Sequence, residues 1–281
     1  MKTNQHNSGF TLVELMIGLV LTSIFVAGLI QILSNTQNNV RIVNNLSIMT
    51  EDGRYALDFL AKEIRRSGYL KRFYELPANL AFQAATNPFI ATNDGETIKG
   101  ANDATFIDQF VIRYQINDLN ELDPNFALSS CSRELGRGNL EDTSNVQNHI
   151  ITLYFYVATD ANGIPVLYCQ GQRNNLDDPT KNISSPPKPM ISYVEAMRVL
   201  YSEEIEVAGV AKMVYRDQSQ VTDWKNISSM KISLVLQSED KNVAMQPISN
   251  YFLNGNHQYS TRNSSEKRLY RFFSTTISLR N

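Results

Sequence analysis

The sequence has 281 residues, with 26 Lys and Arg against 28 Asp and Glu and a formal net charge of −2. A pI of about 6.0 and the lack of a basic excess argue against nucleic acid as a partner. Charged residues make up 19% of the chain, low for a cytosolic enzyme, and Asn, Ser, Thr and Gln supply much of the remaining polarity. That composition suits an exposed, extracytoplasmic surface.

Residues 1–9 are short and polar, with Lys2 as their one cation. They lack the apolar centre and small-residue cleavage site of a secretory signal. Residues 15–33 carry no charge, and Thr22, Ser23 and Gln31 are their only polar side chains. At 1.5 Å per residue such a helix is roughly 29 Å long, close to the hydrocarbon thickness of a bilayer. The segment is therefore expected to span a membrane. Lys2 before it and Arg41 after it balance each other, so charge alone does not orient the span. Glu14 stands out. A carboxylate just inside an apolar helix either remains solvated at the interface or has a partner that offsets its cost, and the second makes it a functional candidate.

Beyond residue 33 the chain turns polar but keeps helical spacing. Val43, Leu46, Thr50, Gly53, Leu57, Leu60 and Ile64 recur at three- and four-residue steps and predict one packed face. Arg54, Asp58, Lys62 and Arg66 step four apart on another face, with opposite charges at i and i+4. Gly68 after Arg65-Arg66 is a stop signal, and the first proline is Pro77, so one helix is expected over 10–68, transmembrane over 10–33. Residues 69–104 have no sustained period and read as a connecting region.

From residue 105 the period becomes two. Phe110, Ile112, Tyr114 and Ile116 alternate with polar or outward positions, as do Ile151, Leu153, Phe155 and Val157. Asp160-Ala161-Asn162-Gly163 turns the latter strand into 164–169. Further strands are expected near 196–201, 209–215, 230–236 and 272–279, and the proline-bearing stretch 179–189 reads as a stiff loop. The fold class is α+β: a long N-terminal helix, transmembrane then amphipathic, packed on an antiparallel sheet over 105–281.

No catalytic constellation can be assembled. His6, His149 and His257 are isolated, and Asp177-Asp178 and Glu203-Glu204 read as solvated loop acids without the ladder of a calcium loop. Gly136-Arg137-Gly138 lacks the third glycine of a dinucleotide loop, and neither a nucleophile elbow nor a phosphate-binding loop occurs. No catalytic residue, metal site or cofactor is expected. Cys131 and Cys169, 38 positions apart, pair in an oxidising compartment and stay two thiols in a reducing one. If paired, the closed loop contributes about 4 kcal/mol in the chain-entropy model.

Gly9-Phe10-Thr11-Leu12-Val13-Glu14 resembles the prepilin-peptidase site of type IV pilins and type II secretion pseudopilins. The resemblance implies that residues 1–9 are a leader, that cleavage falls between Gly9 and Phe10, and that the new Phe10 amine is N-methylated. It implies that Glu14 neutralises the terminal amine of a neighbouring subunit during assembly, since two charges enter an apolar filament core only as a close pair. Asp52-Gly53-Arg54-Tyr55-Ala56-Leu57-Asp58-Phe59-Leu60, Glu63-Ile64-Arg65-Arg66-Ser67-Gly68-Tyr69 and the terminal Ser274-Thr275-Thr276-Ile277-Ser278-Leu279-Arg280-Asn281 are similar to minor pilins of the PilW family. That family implies a single-pass inner-membrane protein with a periplasmic domain, which initiates or caps a type IV pilus. Its implied partners are other minor pilins, the major pilin and prepilin peptidase. Such a location favours a Cys131–Cys169 disulfide. A minor pseudopilin of a type II secretion system and a membrane-anchored adhesin or binding module are the alternatives.

Overall fold

The computed structural model describes residues 12–70, 82, 90–102, 107–115, 131, 149–175, 182–207, 209–246, 250–253, 257–260 and 265–279. The chain divides into two compact units, residues 1–45 and 46–281. The described part of the first is helix. Helix α1 is assigned over Leu12–Ile64, and its residues 12–41 expose nearly every apolar side chain, from Leu12 and Phe25 to Leu33 and Val40.

In the second unit α1 becomes amphipathic. Met49, Ala56, Leu60, Ala61 and Ile64 are buried, as is Gly53, while Arg54, Asp58 and Lys62 are exposed. The expected polar face is thus in place, but the packed face is shifted. Val43 is exposed and Leu46 and Thr50 are only half-buried, whereas Met49 and Ala56 face inward. The predicted positions Gly53, Leu60 and Ile64 do face inward. A Cβ added at Gly53 would lie 2.5 Å from the Phe273 ring, so the helix backbone lies close against that side chain of the sheet. α1 ends as the Arg65-Arg66/Gly68 signal predicts. Gly68 has φ +79°, a conformation that favours glycine, and its N–H donates to the Arg113 carbonyl at 2.9 Å.

Twelve strands follow in the described residues: β1 Ile98–Asn102, β2 Asp108–Gln115, β3 His149–Thr159, β4 Pro165–Asn175, β5 Ile183–Ser184, β6 Lys188–Ser192, β7 Val194–Val207, β8 Val210–Arg216, β9 Ile227–Gln237, β10 Asn250–Leu253, β11 His257–Ser260 and β12 Tyr270–Ser278. They form two principal antiparallel sheets rather than one. The first runs β1-β2-β3-β4-β5, with β6 also on β4; the second runs β12-β9-β7-β8; β10 and β11 pair by themselves. β1 lies inside the expected connecting region, and β5 and the start of β6 lie inside the expected stiff loop. Pro189 is tolerated in β6 because that strand is an edge, paired only to β4.

One core joins these pieces. Phe110, Ile112, Ile151, Leu153, Phe155 and Leu167 of the first sheet meet Met197, Val199, Tyr201, Ile232, Leu234 and Ile277 of the second, and Ala56, Leu60 and Ile64 of α1 enter the same cluster.

Candidate functional site

The functional candidates sit at two places: the start of α1 and the polar groups that hold the β-rich unit together. Gly9, Phe10 and His6 lie outside the described residues. Glu14 lies on α1, two residues after the first described position. The helix after it is long and apolar enough to cross a membrane, with none of its most apolar window buried. Its hydroxyls turn back on their own helix. Thr22 Oγ1 donates to the Gly18 carbonyl at 2.7 Å, Ser23 Oγ to Val20 at 2.7 Å, and Thr36 Oγ1 to Ile32 at 2.9 Å. Those polar groups therefore need no water, which is the condition for apolar surroundings. Among the described residues, a Cβ added at Gly18 or Gly28 would meet nothing within 4 Å.

Cys131 and Cys169 are joined as a disulfide, with Cα atoms 5.8 Å apart. Both are fully buried. The bond fixes Cys131 to β4, and the Ser185 hydroxyl nearby bridges the Gly171 N–H and carbonyl at 3.0 and 3.2 Å.

Asp108 and Arg198 form a contact between the two sheets that sequence reasoning missed. Asp108, at the start of β2, accepts from Arg198 Nη1 at 2.9 Å and from the Val199 backbone N–H at 2.6 Å. Arg198 also reaches Asp217 at 3.6 Å. β8 covers β7 only from Tyr201 onward, so the carboxylate of Asp108 takes the place of a ladder partner at Val199. Burial pushes the Asp108 carboxyl up to about 6, against the lowering effect of the Val199 N–H and of Arg198. The available signal was a charged residue within each of two strand patterns, but no spacing could pair positions 90 residues apart.

The acidic doublet separates across β7. Glu204 is exposed, whereas Glu203 is 1% exposed and is not a solvated loop acid. Its Oε1 accepts from the Thr222 N–H at 3.0 Å, the Thr222 hydroxyl at 2.5 Å and the Asp223 N–H at 2.6 Å, and its Oε2 pairs with Arg216 at 3.2 Å. Burial acts to raise its pKa, yet the hydrogen bonds and Arg216 together hold it below the ordinary value. Glu203 thus pins the turn after β8. Strand alternation contained this signal, because adjacent residues on a strand point to opposite faces.

His149 begins β3 and His257 begins β11. Among the described residues no group of three or more His, Cys, Asp or Glu is placed to hold a metal ion. Asp177-Asp178 and Gly136-Arg137-Gly138 lie outside the described residues.

Comparison with known families adds two matches. Residues 4–30 match the prokaryotic N-terminal methylation motif, and residues 154–281 match the family described as type IV pilus-assembly protein W. Among solved structures the chain is similar to a type IV-like pilin from Thermus thermophilus at 12% identity, covering 85% of this chain and 97% of that one, with a TM-score of 0.41. No curated protein matches the sequence.

Proposed function

For this type IV pilin-like protein, with its N-terminal methylation motif and its pilus-assembly region, we propose the role of a minor pilin that initiates or caps a type IV pilus. The carrying observation is in α1: one carboxylate, Glu14, on a helix whose next thirty or so positions expose apolar side chains. Such a helix is stable in a bilayer or among other apolar helices. Prepilin peptidase cuts between Gly9 and Phe10, and the Phe10 amine is N-methylated. The mature subunit stands in the inner membrane with its β-rich unit in the periplasm.

Transfer of the helix from bilayer to filament brings Glu14 beside the Phe10 amine of a neighbouring subunit. Each charge is costly alone in apolar surroundings, and together they form a hydrogen-bonded pair. The subunit then co-assembles with other minor pilins and the major pilin through this helix. The pilus-assembly match over 154–281 favours a pilus over a secretion pseudopilus.

Replacement of Glu14 tests the role. Glu14→Ala is expected to leave cleavage and membrane insertion intact and to abolish recovery of the subunit with sheared filaments. Full co-assembly of the Glu14→Ala protein overturns the assigned role of this carboxylate.

A further inference from the structure

Among the described residues Met245 is the most exposed large apolar side chain, with 95% of its surface open to solvent. A single exposed apolar residue is ordinary on a protein surface, so what holds it there matters more than the exposure itself. Met245 stands in the segment 238–246 after β9, and this segment is fastened to residues 266–269. The Ser238 N–H donates to the Leu269 carbonyl at 2.8 Å, and the Leu269 N–H returns to Ser238 Oγ at 3.0 Å. The Val243 and Ala244 N–H groups both donate to the Lys267 carbonyl, at 3.0 and 2.9 Å. Lys241 pairs with Glu266 at 2.6 Å. The buried Arg268 donates through Nη1 to the carbonyls of Ser238 and Glu239, at 2.5 and 2.7 Å. The thioether therefore projects into solvent from a backbone that is tied down immediately before it.

The other methionines of the second unit are placed differently. Met49, Met197 and Met230 are buried in the main core, and Met190 packs against it half-buried. Met213 on β8 is 56% exposed, but its sulfur accepts from Ser228 Oγ at 3.4 Å.

Oxidation of a thioether follows access to its sulfur. The sulfur lone pair attacks one oxygen of a peroxide, and an S–O bond forms as the O–O bond breaks. Sulfur gives up two electrons, and the departing hydroxide takes the proton of the transferred oxygen and leaves as water.

We infer that Met245 is an oxidation site, the methionine of the second unit that peroxide converts first to the sulfoxide. Met213 follows, and the buried methionines are spared. The product replaces an apolar tip by a polar, chiral one, and methionine sulfoxide reductases reverse it, releasing the oxygen as water while a dithiol becomes a disulfide. Because the side chain lies almost wholly in solvent, the change alters the surface and leaves the core packing as it was.

The test exposes the full-length protein in detergent to increasing hydrogen peroxide and reads oxygen uptake peptide by peptide by mass spectrometry. The unmodified Met245 peptide is expected to be lost first and the Met213 peptide second. Met49, Met197 and Met230 are expected to stay unmodified, with the thermal midpoint unchanged. In urea, where every sulfur is accessible, the ranking is expected to vanish. Met245→Leu is expected to remove the first uptake and to leave that at Met213 at the same dose. Oxidation of Met213 or of a buried methionine before Met245 overturns the inference, as does a ranking that persists in urea. A midpoint that falls when Met245 alone is modified overturns the surface-only effect, and a sulfoxide that the reductases leave in place overturns its reversibility. The ranking is independent of the pilin role, so its failure leaves that role standing.

Discussion

Asp108 shows how a buried pair can set geometry while costing stability. Its carboxyl titrates near 6 in the folded chain against an ordinary 3.8, so the folded state binds the proton more tightly. The contribution of this group is therefore most favourable below about pH 4 and is lost as pH rises through 6. The difference corresponds to on the order of 3 kcal/mol. Denaturation midpoints of wild type and Asp108→Asn, compared at pH 5 and pH 7, are expected to show wild type gaining on acidification relative to the variant. A constant offset between the two pH values contradicts the assignment. Asp108→Ala is a different perturbation, because it strips the Val199 N–H and leaves Arg198 with Asp217 alone. Removing one member of a buried pair costs about 3–5 kcal/mol.

Gly53 makes the complementary point about space. With the Phe273 ring 2.5 Å from a Cβ position, Gly53→Val has to displace that ring, and overpacking of this kind costs about 1–3 kcal/mol. Urea denaturation of the variant reads it directly, and an unchanged midpoint means that helix and sheet are not so close.

At the scale of elements, α1 and most strands were legible. The expected strands near 110–116, 151–157, 164–169, 196–201, 209–215, 230–236 and 272–279 correspond to β2, β3, β4, β7, β8, β9 and β12, because a half-buried strand writes a period of two into its sequence. The helix stop was legible for a similar local reason, a positive-φ glycine after two arginines. The packed stripe of α1 was legible only in its second half. Gly53 was on the expected face and is buried, whereas Val43 is exposed, Leu46 is half-buried and the unexpected Ala56 faces inward.

Short edge strands such as β5 and β6 carry too few residues to establish a period, and Pro189 disguised the second. The disulfide is the other element-level feature with a definite consequence. Cys131 is tied to β4 by a closed loop of 38 residues, which the chain-entropy model values at about 4 kcal/mol. Cys131→Ser, with Cys169→Ser to avoid a lone thiol, is expected to lower the thermal midpoint by an amount consistent with that figure. An unchanged midpoint contradicts a stabilising bond.

For the whole molecule, division into two sheets was not readable, since periodicity identifies strands but not their partners. Pairings such as Ile98 with Ile112, Phe110 with Phe155 and Thr276 with Lys231 are set by how the strands share the core with α1. The Asp108–Arg198 contact depends on that division and was hidden with it. By contrast the features on which the proposed role rests lie at one end of the sequence and are almost wholly local: residues around Gly9 and Glu14, followed by an uncharged apolar run. The pilus-assembly match over 154–281 lies entirely within the β-rich unit.

The most direct test of the account is the mass and N-terminal sequence of the mature protein recovered from membranes. The mature chain is expected to begin at N-methylated Phe10 and to lack residues 1–9. A chain that still begins at Met1 in cells with active prepilin peptidase, or that is cut at another bond, contradicts it.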